Sequence, residues 1–156
     1  MREHLQGFSL LINPISSPVQ IAIYKDGKLF KSFEKEGFVS DFLIDLLEEI
    51  TKEYKLNEII YVNGPGSYMG VKLTFVALKT LEIVKDIPFF GTLGFELNGN
   101  KPIKAMGKLY FIKEKENIIT KKIDEVIKES FFVPVSWNQI KKTKTNEPLY
   151  HIPSVG

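Results

Sequence analysis

The 156-residue chain contains no cysteine, only two histidines and no long apolar run. Without cysteine there is no disulfide, no thiolate nucleophile, no cysteine-ligated zinc and no iron–sulfur cluster. His4 and His151 stand near opposite ends, which argues against a histidine-rich metal site and against a Ser-His-Asp relay. No stretch reaches the roughly 18 apolar residues of a membrane-spanning helix. Residues 1–10 mix acid and base and lead straight into a strand-like run, unlike a signal peptide. These absences together predict a cytoplasmic globular protein.

What is present is ordinary in bulk and uneven in placement. Apolar residues make up 44% and charged residues 26%, so the chain can build a core without a metal or disulfide staple. The net charge of +2 hides an asymmetry. Residues 1–98 hold ten basic and thirteen acidic side chains, whereas residues 99–156 hold eleven basic and six acidic ones. A basic C-terminal third is either a solvated lysine-rich surface or a face for nucleic acid or an acidic partner.

Apolar runs and turn residues place the elements. Residues 8–12 and 19–24 read as strands, the first stopped by Asn13-Pro14 and the second closed by Asp26-Gly27. Asp-Gly before the alternating run 28–33 predicts a hairpin, so the first three strands form an antiparallel meander. Val39, Leu43, Leu46, Leu47, Ile50 and Tyr54 recur with helical period, with Ser40 as the expected N-cap. Residues 58–62 then form a fourth strand, parallel to the first because a helix intervenes. A second helix is expected over 68–85 and a fifth strand over 87–90. The order β-β-β-α-β-α-β is that of the α/β ribonuclease H-like fold, the core of the actin and sugar-kinase superfamily. Further on, 108–114 and 118–123 read as a hairpin, 122–129 as a short helix, and 131–135 as a strand or extended packing segment. The expected organisation is an N-terminal subdomain over 1–98, a reduced C-terminal subdomain over 99–140 and a polar tail over 141–156.

Three local features bear on chemistry. Gly64, Pro65, Gly66, Ser67 and Gly70 make a glycine-rich turn between a strand and a helix. It lacks the Gly-Lys-Ser/Thr ending of a phosphate-binding P-loop, and its glycine spacing differs from the dinucleotide fingerprint. An anion site and a simple tight turn both remain open, with Ser67 as a helix cap rather than a nucleophile. The helix that follows is apolar on two sides. Ile83, Val76, Leu73, Val84, Ala77 and Leu81 make a broad arc, and Val71, Phe75 and Leu78 a second patch, with Lys72 and Lys79 between them. Such a helix covers the sheet with one side and needs a helix or another protein on the other. At the end of the first strand, Asn13 stands where phosphotransferases of this superfamily keep an Asp. A neutral amide is a poorer Mg²⁺ ligand than a carboxylate.

Residues 63–72, Asn-Gly-Pro-Gly-Ser-Tyr-Met-Gly-Val-Lys, resemble the Gly-Pro-Gly-Ser-Phe-Thr-Gly-Leu/Val-Arg signature of the TsaB (YeaZ) family. Tyr68 stands for the family Phe, Met69 for Thr and Lys72 for Arg. Weaker likenesses in the same order run through Leu11–Pro14, Ile21–Ile23, Ile87–Leu93 and Met106–Tyr110, so the resemblance covers about residues 8–112. It implies a non-catalytic partner of TsaD, which installs N6-threonylcarbamoyladenosine at position 37 of tRNAs. It also implies the ATPase TsaE as a further member of the complex, and self-association through the same helical face. The implied partner-facing residues are Tyr68, Val71, Lys72, Phe75, Leu78 and Lys79. No metal or resident cofactor is implied, and a nucleotide at the partner interface is compatible with the family. Two other functions fit the residues: a hydrolase or peptidase built on the glycine turn, and a direct tRNA binder using the basic third. Lys72 in place of Arg keeps the charge and loses bidentate pairing.

Overall fold

The computed structural model describes residues 7–149; His4, His151 and the end of the polar tail lie outside them. Strands β1 (Phe8–Asn13), β2 (Val19–Lys25) and β3 (Lys28–Lys35) form the antiparallel meander. Asp26 and Gly27 both take positive φ in the connecting turn, as a two-residue hairpin of this hand requires. Helix α1 (Val39–Glu53) leads to β4 (Leu56–Gly64), which lies parallel to β1. Helix α2 (Tyr68–Lys85) leads to β5 (Phe89–Leu93), parallel to β4. The five strands run in the order β3-β2-β1-β4-β5 in one mixed sheet. Three short strands, β6 (Ile103–Met106), β7 (Leu109–Glu114) and β8 (Asn117–Lys122), form a separate antiparallel sheet.

Alternation along the strands sends each main-sheet face into its own core. Leu10, Ile12, Ile59 and Tyr61 meet both helices on one face. Leu11, Ile60 and Val62 meet Leu97, Trp137 and Ile140 on the other. On α1, Val39, Leu43, Leu46, Leu47 and Ile50 are all buried, as their period predicts. Burying each such side chain is worth about 1.5–3 kcal/mol, which offsets the poor stability of an isolated 15-residue helix. The second face is covered by two short 3₁₀ turns, Gly94–Leu97 and Trp137–Gln139, and by irregular chain. The Tyr24 hydroxyl donates to the Pro134 carbonyl at 2.6 Å, and Trp137 Nε1 donates to Glu58 at 2.6 Å.

Several expected elements are corrected. Helix α1 starts at Val39 with Phe38 in the N-cap position, so Ser40 is not the cap; starting early brings Val39 into the core. Strand β5 begins at Phe89 rather than Ile87, because Pro88 has no N–H for the ladder. The short helix expected over 122–129 is absent. Lys122 ends β8, and the following backbone finds tertiary partners instead: Ile127 N–H donates to the Tyr110 hydroxyl at 3.2 Å. Of the two forms expected for residues 131–135, the packing segment without strand pairing is the one found. Strand β6 escapes the sequence reading, since a four-residue strand with one buried position carries little pattern.

The polar segment after Trp137 forms no strand but lies against the main sheet. Thr143 N–H donates to the Gly91 carbonyl at 2.8 Å and Thr92 Oγ1 to the Lys141 carbonyl at 2.8 Å, along the edge of β5. Residues 143–149 then reach β4. Tyr61 donates to the Asn146 carbonyl at 2.6 Å, Asn63 Nδ2 to the Glu147 carbonyl at 3.1 Å, and Leu149 N–H to the Asn63 carbonyl at 2.8 Å. Gly91 makes this possible, since a Cβ there would sit 2.5 Å from Asn63 Nδ2 and 2.7 Å from Thr143 Oγ1.

Candidate interaction face and glycine turn

The glycine turn joins β4 to α2 at the edge of two cavities. Gly64 and Gly66 have φ of 131° and 114°, values that an L side chain rarely adopts. Pro65 is buried, and the Gly64–Pro65 bond is cis. Ser67 occupies the N-cap position of α2 as expected, but its φ is 36° and its hydroxyl makes no capping bond. This corrects its assigned role. A capping serine needs extended backbone to aim its oxygen at the first-turn amides, and left-handed backbone turns it away. The Ser67 Oγ lies instead 3.0 Å from where a Cβ on Gly70 would stand, with the Pro14 carbonyl at 3.3 Å, so space at Gly70 is tight.

Helix α2 shows its two apolar sides differently from the expectation. Val71, Thr74 and Leu78 are buried against the sheet, and Phe75 is half-buried with its ring 5.8 Å from Phe89. Val71 and Leu78 therefore cannot face a partner, which corrects their assignment. The physical reason is close approach. The smaller patch packs into the core shared with α1, β4 and β5, and Thr74 beside it bonds back to the Gly70 carbonyl at 2.8 Å. The broad arc is left outside. Met69, Leu73, Val76, Ile83 and Val84 are all exposed, with Ile83 at 75% and Val84 at 70%. They fall on one side of the helix, with the exposed Thr80 among them. Only Ala77 of the broad arc is buried, while Leu81 packs partly against the core.

Tyr68, Lys72 and Lys79 are exposed beside the stripe. The Lys72 ammonium stands 5.9 Å from the Tyr68 ring, and Lys79 pairs with Glu82 at 3.1 Å. Past the N-terminal end of the stripe, a groove of about 800 Å³ opens between the starts of the two helices. Phe38, 78% exposed, lines it together with Tyr68, Met69 and Leu73. Sequence reading missed Phe38, because a lone aromatic before a helix has no periodic context.

The described residues contain no histidine, and no three His, Cys, Asp or Glu side chains among them cluster as metal ligands would. Asn13 is 1% exposed; its Oδ1 accepts from Ile15 N–H at 3.1 Å and its carbonyl accepts from Ser16 Oγ at 2.9 Å. It shapes the β1–β2 turn from within. No described helix is long and apolar enough to cross a membrane.

No family model and no curated protein matches the chain. Solved structures do. YeaZ from Pseudomonas aeruginosa aligns at 12% identity and a TM-score of 0.57, over 75% of this chain and 65% of that one. An uncharacterized protein described as similar to the peptidase YeaZ from Pseudomonas aeruginosa aligns at 11% identity and a TM-score of 0.60. That match covers 78% of this chain and 69% of the other. The chain thus spans just under two thirds of the first YeaZ structure. With its five-stranded mixed sheet and two helices on one face, the chain is YeaZ-like in fold, a ribonuclease H-like α/β protein.

Proposed function

We propose that this chain is a non-catalytic accessory subunit that docks on a TsaD-type protein and supports formation of N6-threonylcarbamoyladenosine at position 37 of tRNAs. The observation that carries the reading is the exposed apolar stripe on α2, continued by the Phe38 groove. A helix side carrying this many exposed large apolar side chains on a small protein marks an interaction surface. The YeaZ-like fold and the glycine-turn signature at its head support the family to which such a partner belongs. In this reading TsaE joins the complex, any nucleotide sits at the interface between subunits, and tRNA is met through the partner.

The test is co-purification with the TsaD-type protein of the same organism, followed by a threonylcarbamoyl transfer assay with and without this chain. Val76→Glu and Ile83→Glu are expected to abolish association, since a charge buried at an interface core is strongly unfavourable. Their melting temperatures should match that of the parent. A TsaD-type protein that never binds, or that is fully active alone, would sink the proposal. If the free chain dimerises through the same stripe, both variants become monomeric in light scattering.

A further inference from the structure

The glycine turn follows the end of β4; at the opposite end of the sheet, where β1 and β4 begin, three aromatic rings cluster. Phe8 opens β1, Phe30 lies on β3, and Tyr54 is the C-cap of α1. All three meet edge-to-face. Ring centroids are 5.7 Å apart for Phe8 and Phe30, 4.9 Å for Phe8 and Tyr54, and 6.3 Å for Phe30 and Tyr54. Such contacts hold the rings in place. Phe30 nevertheless stays 53% exposed. Its position follows from a bulge in the β2–β3 ladder: Leu29 pairs with Tyr24 and Lys31 with Ile23, so Phe30 is the extra residue between them. A bulge re-aims a side chain at some cost to the ladder.

Positive charge surrounds the rings. The Lys25 ammonium stands 5.9 Å from the Phe8 ring centre and 6.0 Å from that of Phe30, and Lys28 lies opposite Lys25 across the hairpin. Residues 25–31 and 52–55 hold five lysines against two acidic residues, Asp26 and Glu53. All five lysines are exposed, and none is ion-paired among the described residues.

This combination favours one class of partner. The core of a protein–protein interface is depleted in lysine, so a protein surface laid on Phe30 would have to accommodate the charges around it. A single-stranded nucleic acid uses both features. Its bases stack on aromatic rings, and its phosphates attract the flanking lysines. Rings fixed beforehand lose little freedom on binding. A duplex would use the charges alone, because its bases are already stacked on one another.

We propose that Phe30, backed by Phe8 and Tyr54 and flanked by Lys25 and Lys28, is a stacking platform for an unpaired base of a single-stranded nucleic acid. The contact belongs to this chain itself and does not depend on a partner docked on α2.

The test is a fluorescence-anisotropy titration of the full chain into a labelled oligoadenosine of about 12 nucleotides at low salt, within the length that one small domain covers. Saturable binding is expected, with log affinity falling as log salt rises. Phe30→Leu keeps an apolar side chain in the cluster and removes the ring. It should weaken binding about fivefold or more, while Phe30→Tyr keeps the parent affinity. Lys25→Ala and Lys28→Ala should each weaken binding and lower the log–log salt slope by about 0.7. Lys121→Ala, on β8 of the other sheet, should change neither. All these side chains are exposed, and melting temperatures check that each variant is folded. No saturable binding, parent-like affinity of Phe30→Leu, or equal loss with Lys121→Ala overturns the proposal. So does equally tight binding of the same strand annealed to its complement, which would mean phosphate contact alone. A DNA strand of the same length separates the two sources. Equal affinity means that any single strand is taken, tighter RNA binding adds contact with the 2′-hydroxyl, and both keep the platform. If Phe30→Leu instead loses the TsaD-type protein while no oligonucleotide binds, the cluster is a protein contact and the proposal falls.

Discussion

Ser67 and Tyr24 carry the clearest consequences at the residue scale. Ser67 holds left-handed backbone without a capping bond. A capping serine loses about 0.5–2 kcal/mol on truncation. Here Ser67→Ala should change stability by less than about 0.5 kcal/mol, and Ser67→Gly should gain up to about 1 kcal/mol by relieving the backbone. Urea unfolding of the two variants decides it. The Tyr24 phenol is 1% exposed, and burial pushes its pKa above the ordinary value of 10.0. The unfolded chain therefore ionises Tyr24 at lower pH than the folded one does. This contribution to stability is full below about pH 10 and is lost as pH rises beyond it, by at most about 1.4 kcal/mol per pH unit. Tyr24→Phe should flatten that alkaline slope relative to the parent, even though it also removes the bond to Pro134. An identical slope in both proteins would place the alkaline sensitivity elsewhere.

Helix α2 decides the functional reading at the scale of elements. Its two apolar sides look alike in sequence, and a single contrast separates them. Leu78→Glu puts a charge into a fully buried site and should prevent stable folding, since removing that side chain alone costs about 2–5 kcal/mol. Val76→Glu lies two positions away on the exposed stripe and should melt like the parent. Circular dichroism melts of the pair test the orientation of the helix before any partner is involved. Equal destabilisation by both would mean that the stripe is not a free surface. The same contrast guards the association experiment, because lost binding by a folded Val76→Glu protein can then be read as an interface effect.

For the molecule as a whole, the basic C-terminal third has a structural role beside any charge effect. Residues 141–149 close the β5 edge, and an open edge strand invites pairing with other chains. Lys142 is drawn into this closure, pairing with Glu58 at 3.2 Å and lying 3.8 Å from the centre of the Phe90 ring. A chain ending at Ile140 loses these contacts. At about 1 kcal/mol per hydrogen bond, its melting temperature should fall by roughly 10 °C or more, with a tendency to aggregate. Calorimetry and light scattering check both effects. Unchanged melting would mean that the segment only rests on the sheet.

Residue pattern alone determined the order of the main sheet's elements, the core face of α1 and the position of the glycine turn. These follow from local physics: a period of two or 3.6, and turn residues that only certain backbones tolerate. The element order and the Gly-Pro-Gly-Ser segment also carried the ribonuclease H-like and YeaZ-like expectations. Tertiary structure decided which side of α2 is outside, because two apolar arcs look alike until α1, β4 and β5 are assembled beneath one of them. It also decided the route of residues 123–149, whose backbone polar groups are satisfied by partners distant in sequence. No local periodicity encodes a contact between segments that meet only when the whole chain packs.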